Sequence, residues 1–173
     1  MSSPAAILRG RVVAKLGDNV DTDVIYPGRY LNITDREKTA EHLFELAQPE
    51  IRAAIRPGDF LVAGRNFGCG SSREQAAAAV KFSGLGAVIA ASFARIFYRN
   101  SINLGLPVLV SRDAPSTIQA GDELEIDLAS GVIRNLTGNF TAAAAPLDPR
   151  AVELLQAGGL IPYLKKKYAT AGG

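Results

Sequence analysis

Two serines and an arginine, Ser71, Ser72 and Arg73, follow directly on a glycine-rich turn, Gly68-Cys69-Gly70. A guanidinium presents a planar fork of donors that fits a carboxylate or phosphate. Two hydroxyls beside it sit at the same mouth and can donate to the same anion. The flanking residues tell how these groups are carried. An apolar, strand-like run occupies residues 59–64, and an alanine-rich run, Ala76-Ala77-Ala78-Ala79-Val80, follows the motif. A strand, a glycine turn and a helix start leave free backbone N–H groups and a partial positive charge at one mouth, which suits an anion. The motif is not a Walker loop, because no Gly-Lys-Ser/Thr follows, and it lacks the third glycine of a Rossmann fingerprint. A plainer use of the same residues is helix capping. Ser71 with Glu74, and Ser72 with Gln75, have capping-box spacing, and a cap stabilises by about 1 kcal/mol. Only one serine can occupy an N-cap, so two overlapping boxes leave one hydroxyl for a ligand.

Whole-chain properties narrow the chemistry. At 173 residues the chain is expected to form a single domain, residues 1–173, which at this size buries about 70% of its unfolded surface. The net charge of +2 gives no support for a nucleic-acid or membrane-surface partner. No apolar run approaches the ~18 residues of a membrane span and no signal-peptide pattern opens the sequence, so a cytoplasmic location is expected. With one cysteine, Cys69, and one histidine, His42, the chain can form neither an internal disulfide nor a closed zinc or iron–sulfur site. No zinc or iron–sulfur metal is therefore expected on this chain alone, and if the protein works on a metal cofactor, another chain must hold most of it.

The elements that position the motif can be read in order. Residues 7–15 read as a strand interrupted by Gly10. Residues 17–28 are rich in turn formers and hold Asp18, Asp21 and Asp23 close together. Three readings stand side by side: a hard-cation loop without EF-hand spacing, an Asx-rich loop whose carboxylates bond backbone N–H groups, or the border of a ligand pocket. Tyr30-Leu31-Asn32-Ile33 falls in a loop. Thr34 and Glu37 form a further capping box, and a helix is expected from about Asp35 to Ala47, with Ala40, Leu43, Phe44 and Ala47 as its apolar stripe and His42 beside it. Residues 87–91 and 106–110 are continuous apolar runs suited to buried parallel strands. Ser92 is placed to cap a helix over residues 93–100. Strand, helix, strand, helix, strand implies right-handed crossovers, with ligands at the carboxyl ends of the strands; Ser92 and Arg95 would share that rim. Residues 124–128 and 132–136 form a hairpin. Asp148-Pro149 begins a helix that breaks at Gly158-Gly159, and the tail from Ala169 is expected to fray.

Three ordered motifs also carry a family resemblance. Gly68-Cys69-Gly70-Ser71-Ser72-Arg73-Glu74 resembles the Gly-x-Gly-Ser-Ser-Arg-Glu signature of the aconitase superfamily swivel domain. Ser92-Phe93-Ala94-Arg95-Ile96 is similar to that domain's second signature. Residues 17–23 with the Tyr30-Leu31 loop resemble the small subunit of 3-isopropylmalate dehydratase and its homoaconitase-like relatives. The resemblance implies an α/β fold, a swivelling β/β/α domain with a parallel sheet, a smaller antiparallel sheet and flanking helices. It implies a separate large subunit carrying a [4Fe-4S] cluster, and a small hydroxy di-acid substrate that is dehydrated and rehydrated.

Roles implied by the resemblance fall residue by residue. Ser71 matches the catalytic serine, which removes a proton from the carbon next to a carboxylate. Ser72 and Arg73 match residues that hold a substrate carboxylate, while the partner's iron acts as Lewis acid on the leaving hydroxyl. Gly68, Gly70, Asp21, Thr22, Asp23, Ser92 and Arg95 form a supporting rim. Tyr30, Leu31, Asn32 and Ile33 form the loop where this family sets specificity. Homoaconitase-like members tend to place arginine at the position of Asn32, for an extra carboxylate. Its absence favours a branched malate such as isopropylmalate, with a dimethylmalate- or citramalate-like acid or a homoaconitase substrate as alternatives; Arg29 is the nearby cation that could serve an extra carboxylate. A stand-alone carboxylate-binding regulatory module is the non-enzymatic alternative.

Overall fold

A computed structural model describes residues 7–171. Its strands are β1 (Ile7–Lys15), β2 (Phe60–Ala63), β3 (Ala87–Ala90), β4 (Val108–Val110), β5 (Glu123–Asp127), β6 (Val132–Asn135) and β7 (Phe140–Ala143). Its α-helices are α1 (Thr22–Ile25), α2 (Arg36–Thr39), α3 (Pro49–Ala54), α4 (Glu74–Phe82), α5 (Arg95–Asn103), α6 (Ala114–Thr117), α7 (Pro149–Ala157) and α8 (Leu160–Ala171). None of these helices is long and apolar enough to cross a membrane.

The strands form one sheet in the order β4-β3-β2-β1-β5-β6-β7. β1 to β4 pair in parallel, and β1 with β5 to β7 in antiparallel fashion. The expected parallel sheet and smaller antiparallel sheet are thus both present, joined through β1. The sheet curls until its ends meet: Ala145 N–H donates to the Val110 carbonyl and Ser111 Oγ to the Ala143 carbonyl, each at 2.8 Å. Gly10 sits in β1 because there is no room for a side chain; a Cβ there would lie 2.2 Å from the Gly58 carbonyl oxygen.

Alternation along the strands sorts the core into two layers. Leu61 and Ala63, Val88 and Ala90, and Val108 face α4 and α5. Phe60 and Val62, Ile89 and Leu109 face inward, against Val12, Leu124, Ile126 and Ile133. Both faces are covered, so β2 and β3 read as unbroken apolar runs. All five residues from Ala76 to Val80 are buried, and the small side chains allow α4 to lie close between the sheet, α2 and α5.

Several boundaries differ from those expected. The helix expected from Asp35 to Ala47 breaks after Thr39 into a 3-10 turn, Ala40–His42. Its N-cap is Asp35, which accepts from Glu37 N–H, not Thr34. Leu43 then leaves helical geometry, Phe44 adopts φ +55°, and both are fully buried. The helical hydrogen bonding stops here, and the Phe44 N–H is satisfied by the Ile25 carbonyl instead. At the other end α7 begins as expected, with Asp148 accepting from Arg150 N–H, and stops at Gly158 in the left-handed region. α8 continues to Ala171, so the chain is helical where fraying was expected; the last two residues lie outside the described ones.

Candidate functional site

Three segments that leave the carboxyl ends of β1, β2 and β3 run on side by side and form the base of the site. The segment after β1 bonds to that after β2: Asn19 N–H to the Arg65 carbonyl, Gly68 N–H to Val20 and Thr22 N–H to Cys69, at 2.8–2.9 Å. The segment after β2 bonds in turn to that after β3, Phe67 N–H to Ser92 and Ala94 N–H to Phe67, at 3.0 and 2.9 Å. The parallel pairing therefore continues past the strands. It brings together the aspartate-rich loop, the Gly-Ser-Ser-Arg turn and the start of α5, which are far apart in sequence.

Between them lies an open cleft of about 270 Å³, lined by Thr22, Gly68, Gly70, Ser71, Ser72, Arg73, Ala94, Arg95, Ile96 and Phe97. The N-termini of α4 and α5 both open on this cleft. Their cap residues, Arg73 and Ala94, supply no side-chain acceptor. The capping expected of Ser71, Ser72 and Ser92 is not realised. α4 starts only at Glu74, beyond the reach of both serines in their expected boxes, and Ser71 and Ser72 stand exposed on the cleft. Ser92 Oγ accepts from the Asn66 backbone N–H at 2.8 Å, bracing the turn from behind. Two helix ends, two hydroxyls and two arginines converge on one space, which is an arrangement for anions.

The aspartate-rich loop is accounted for without a cation. Asp21 caps α1 by accepting from Val24 N–H at 2.9 Å, and Asp18 accepts from Arg65 N–H at 2.7 Å. Asp23 forms an ion pair with Arg73. Among the described residues no group of three or more His, Cys, Asp or Glu could hold a metal ion. Arg73 also donates to the Tyr26 carbonyl at 3.3 Å, while its Nε is buried without a hydrogen-bond partner. Arg95 lines the cleft at the first turn of α5 and is exposed.

Tyr30, Leu31, Asn32 and Ile33 do not line this cleft. Residues 28–30 form a 3-10 turn beside it, Leu31 and Asn32 are exposed at its tip, and Gln75 of α4 donates to the Leu31 carbonyl at 3.2 Å. Ile33 lines a separate hollow with Thr34, Arg36 and Glu74. Sequence reasoning missed Phe97, which forms the cleft wall, and Tyr26, whose carbonyl receives Arg73. The sequence signal for Phe97 was indirect, in the glycine opposite. Gly68 has φ +82°, and a Cβ there would lie 2.3 Å from Phe97 Cγ. Gly68→Ala is therefore expected to destabilise by at least the roughly 1–3 kcal/mol of a strained backbone position, read as a lower denaturation midpoint.

Residues 5–113 match the aconitase C-terminal domain family. The chain is 52% identical over 155 residues to the 3-isopropylmalate dehydratase small subunit of Moorella thermoacetica, covering 90% of this chain and 93% of that protein. It is 49% identical to the isopropylmalate/citramalate isomerase small subunit of Methanocaldococcus jannaschii, over 95% of this chain and 97% of that protein. It is 52% identical to the methanogen homoaconitase small subunit of Methanothermobacter thermautotrophicus, over 95% and 94%. The crystal structure of 3-isopropylmalate dehydratase (leuD) from Methanocaldococcus jannaschii superposes with a TM-score of 0.87 at 45% identity, covering 96% of this chain and 98% of that one. The chain thus belongs to the aconitase C-terminal domain family, among the small subunits of isopropylmalate dehydratases and their homoaconitase relatives.

Proposed function

We propose that this chain is the small subunit of a heteromeric hydro-lyase that interconverts 2- and 3-isopropylmalate by dehydration and rehydration. The observation that carries the reading is the convergence of Ser71, Ser72, Arg73 and Arg95 with two uncapped helix N-termini on one cleft. Ser71 takes the proton from the carbon beside a carboxylate. The carbon–hydrogen electron pair forms the double bond while the hydroxyl on the neighbouring carbon takes a proton from solvent and departs as water; water then adds back in the opposite sense. A serine alkoxide costs about 1.4 kcal/mol for every pK unit by which it must be lowered; the helix ends and arginines are the local means of stabilising it. Ser72 and Arg73 hold the substrate carboxylate next to the reacting carbon, and Arg95 faces the second.

A [4Fe-4S] cluster belongs on the large subunit in this reading. With one cysteine in the sequence, the residues of this chain do not fit such a group, so its own part is to bind, orient and move a proton. The relatives' names divide between isopropylmalate, citramalate and homoaconitase activities. Two observations favour a substrate without a third carboxylate. Asn32 offers no charge at the loop tip, and Arg29 is already turned to Glu45, at 3.8 Å, and lies over the Tyr30 ring; a third carboxylate taken out of water would lack its cation. The test is anaerobic co-expression with the large subunit from the same host, followed by assay on isopropylmalate, dimethylmalate, citramalate and a homocitrate analogue. Turnover by the complex and none by the chain alone is the expected result, with isopropylmalate preferred. A complex that turns over none of the four would sink the reading.

A further inference from the structure

We propose that Tyr30, clamped between His42 and Arg29 and tied by Glu45, is the positioning device for Arg73, although none of the four lines the cleft. The inference rests on the reading above that Arg73 binds substrate. Arg73 takes its orientation from the loop opposite and not from its own helix. Nη1 meets Asp23 and the Tyr26 carbonyl, the other end of the guanidinium lies against Gly28, and Nε has no partner. Whatever fixes residues 23–30 therefore fixes the guanidinium.

Besides the Asp21 cap and the Phe44 N–H bond to the Ile25 carbonyl, two tyrosines fix that loop. Tyr26 is fully buried, and its hydroxyl donates to the Tyr30 carbonyl at 2.7 Å. Tyr30 is in turn held on every side: its ring stacks on His42 at 3.6 Å and 13°, the Arg29 guanidinium covers it at 5.0 Å, and its hydroxyl donates to Glu45 at 3.2 Å. Glu45 also meets His42 Nδ1 at 3.2 Å and Arg29 at 3.8 Å, so one carboxylate ties the whole sandwich. Burial alone would raise the Glu45 pKa, but hydrogen bonds from Tyr30 and His42 and the charges of His42 and Arg29 outweigh it and hold the carboxyl below its usual range. The charged form that closes the clamp is thus the one favoured at neutral pH.

The test uses the complete complex. Glu45→Ala is expected to raise KM about tenfold, the scale of a lost charge-assisted hydrogen bond, with kcat nearly unchanged. Glu45→Gln, which keeps an acceptor for the Tyr30 hydroxyl, is expected to restore most of the affinity. Tyr30→Phe, which keeps the stack, gives an independent reading should Glu45→Ala not fold. In an Arg73→Lys background the Glu45→Ala change is expected to add little, because both act on one contact. A wild-type KM in Glu45→Ala or in Tyr30→Phe, or full additivity with Arg73→Lys, overturns the clamp. If Arg73→Lys in the complex keeps the wild-type KM, the reading of Arg73 as a substrate ligand falls and the clamp with it. If Arg73→Lys raises KM while Glu45→Ala keeps its own, the clamp alone fails.

Discussion

Replacing Ser71 by alanine lowers kcat by about a thousandfold, within the range that a positioned acid–base group contributes, and leaves the fold unchanged. Ser71 is exposed on the cleft and caps no helix, since α4 begins at Glu74 with Arg73 as its N-cap. Its removal therefore opens no cavity in the core, and thermal unfolding of the variant is expected to match the wild type. The contrast between lost turnover and kept stability is the decisive readout. A helix-capping serine would give the reverse pattern, a loss of about 1 kcal/mol of stability with turnover retained. Substrate binding to the inactive complex, followed by calorimetry, should remain near the wild-type value, because the carboxylate is held by other groups.

Arg73→Lys raises KM by one to two orders of magnitude, the equivalent of roughly 1.5–3 kcal/mol of charge-assisted hydrogen bonding. The charge is conserved, so the loss measures geometry. Arginine spans from Asp23 and the Tyr26 carbonyl to Gly28 with a rigid fork; an ammonium is a compact point charge and cannot serve both the loop and a ligand carboxylate. Stability is expected to change little. The partner carboxylate of Asp23 is 65% exposed, and ion pairs screened in this way contribute little. A variant with wild-type KM would show that Arg73 is a structural tie between α4 and the aspartate-rich loop and not a ligand for substrate.

Most of the strands, the helix after the glycine turn and the bounds of α7 were legible in the sequence. The continuous apolar runs of β2 and β3 suited buried strands, and Asp148-Pro149 with Gly158 bounded α7 by local stereochemistry alone. The glycine turn with Ser71, Ser72 and Arg73 was legible because few local structures need those residue types in that order. Tertiary structure decided the rest. The segment after α2 leaves helical geometry at Leu43, where the Phe44 N–H pairs with the Ile25 carbonyl, a tertiary contact that overrides local propensity. The serines had good capping spacing, yet the segments that continue past β1, β2 and β3 hold the turn in another course, and the hydroxyls are left to the cleft. The pairing of Arg73 with Asp23, the wall formed by Phe97 and the stacking of Tyr30 on His42 join residues distant in sequence. No local pattern encodes them: the first two arise when a parallel sheet lays the ends of its strands side by side, and the third when the long β1–β2 connection folds back on itself.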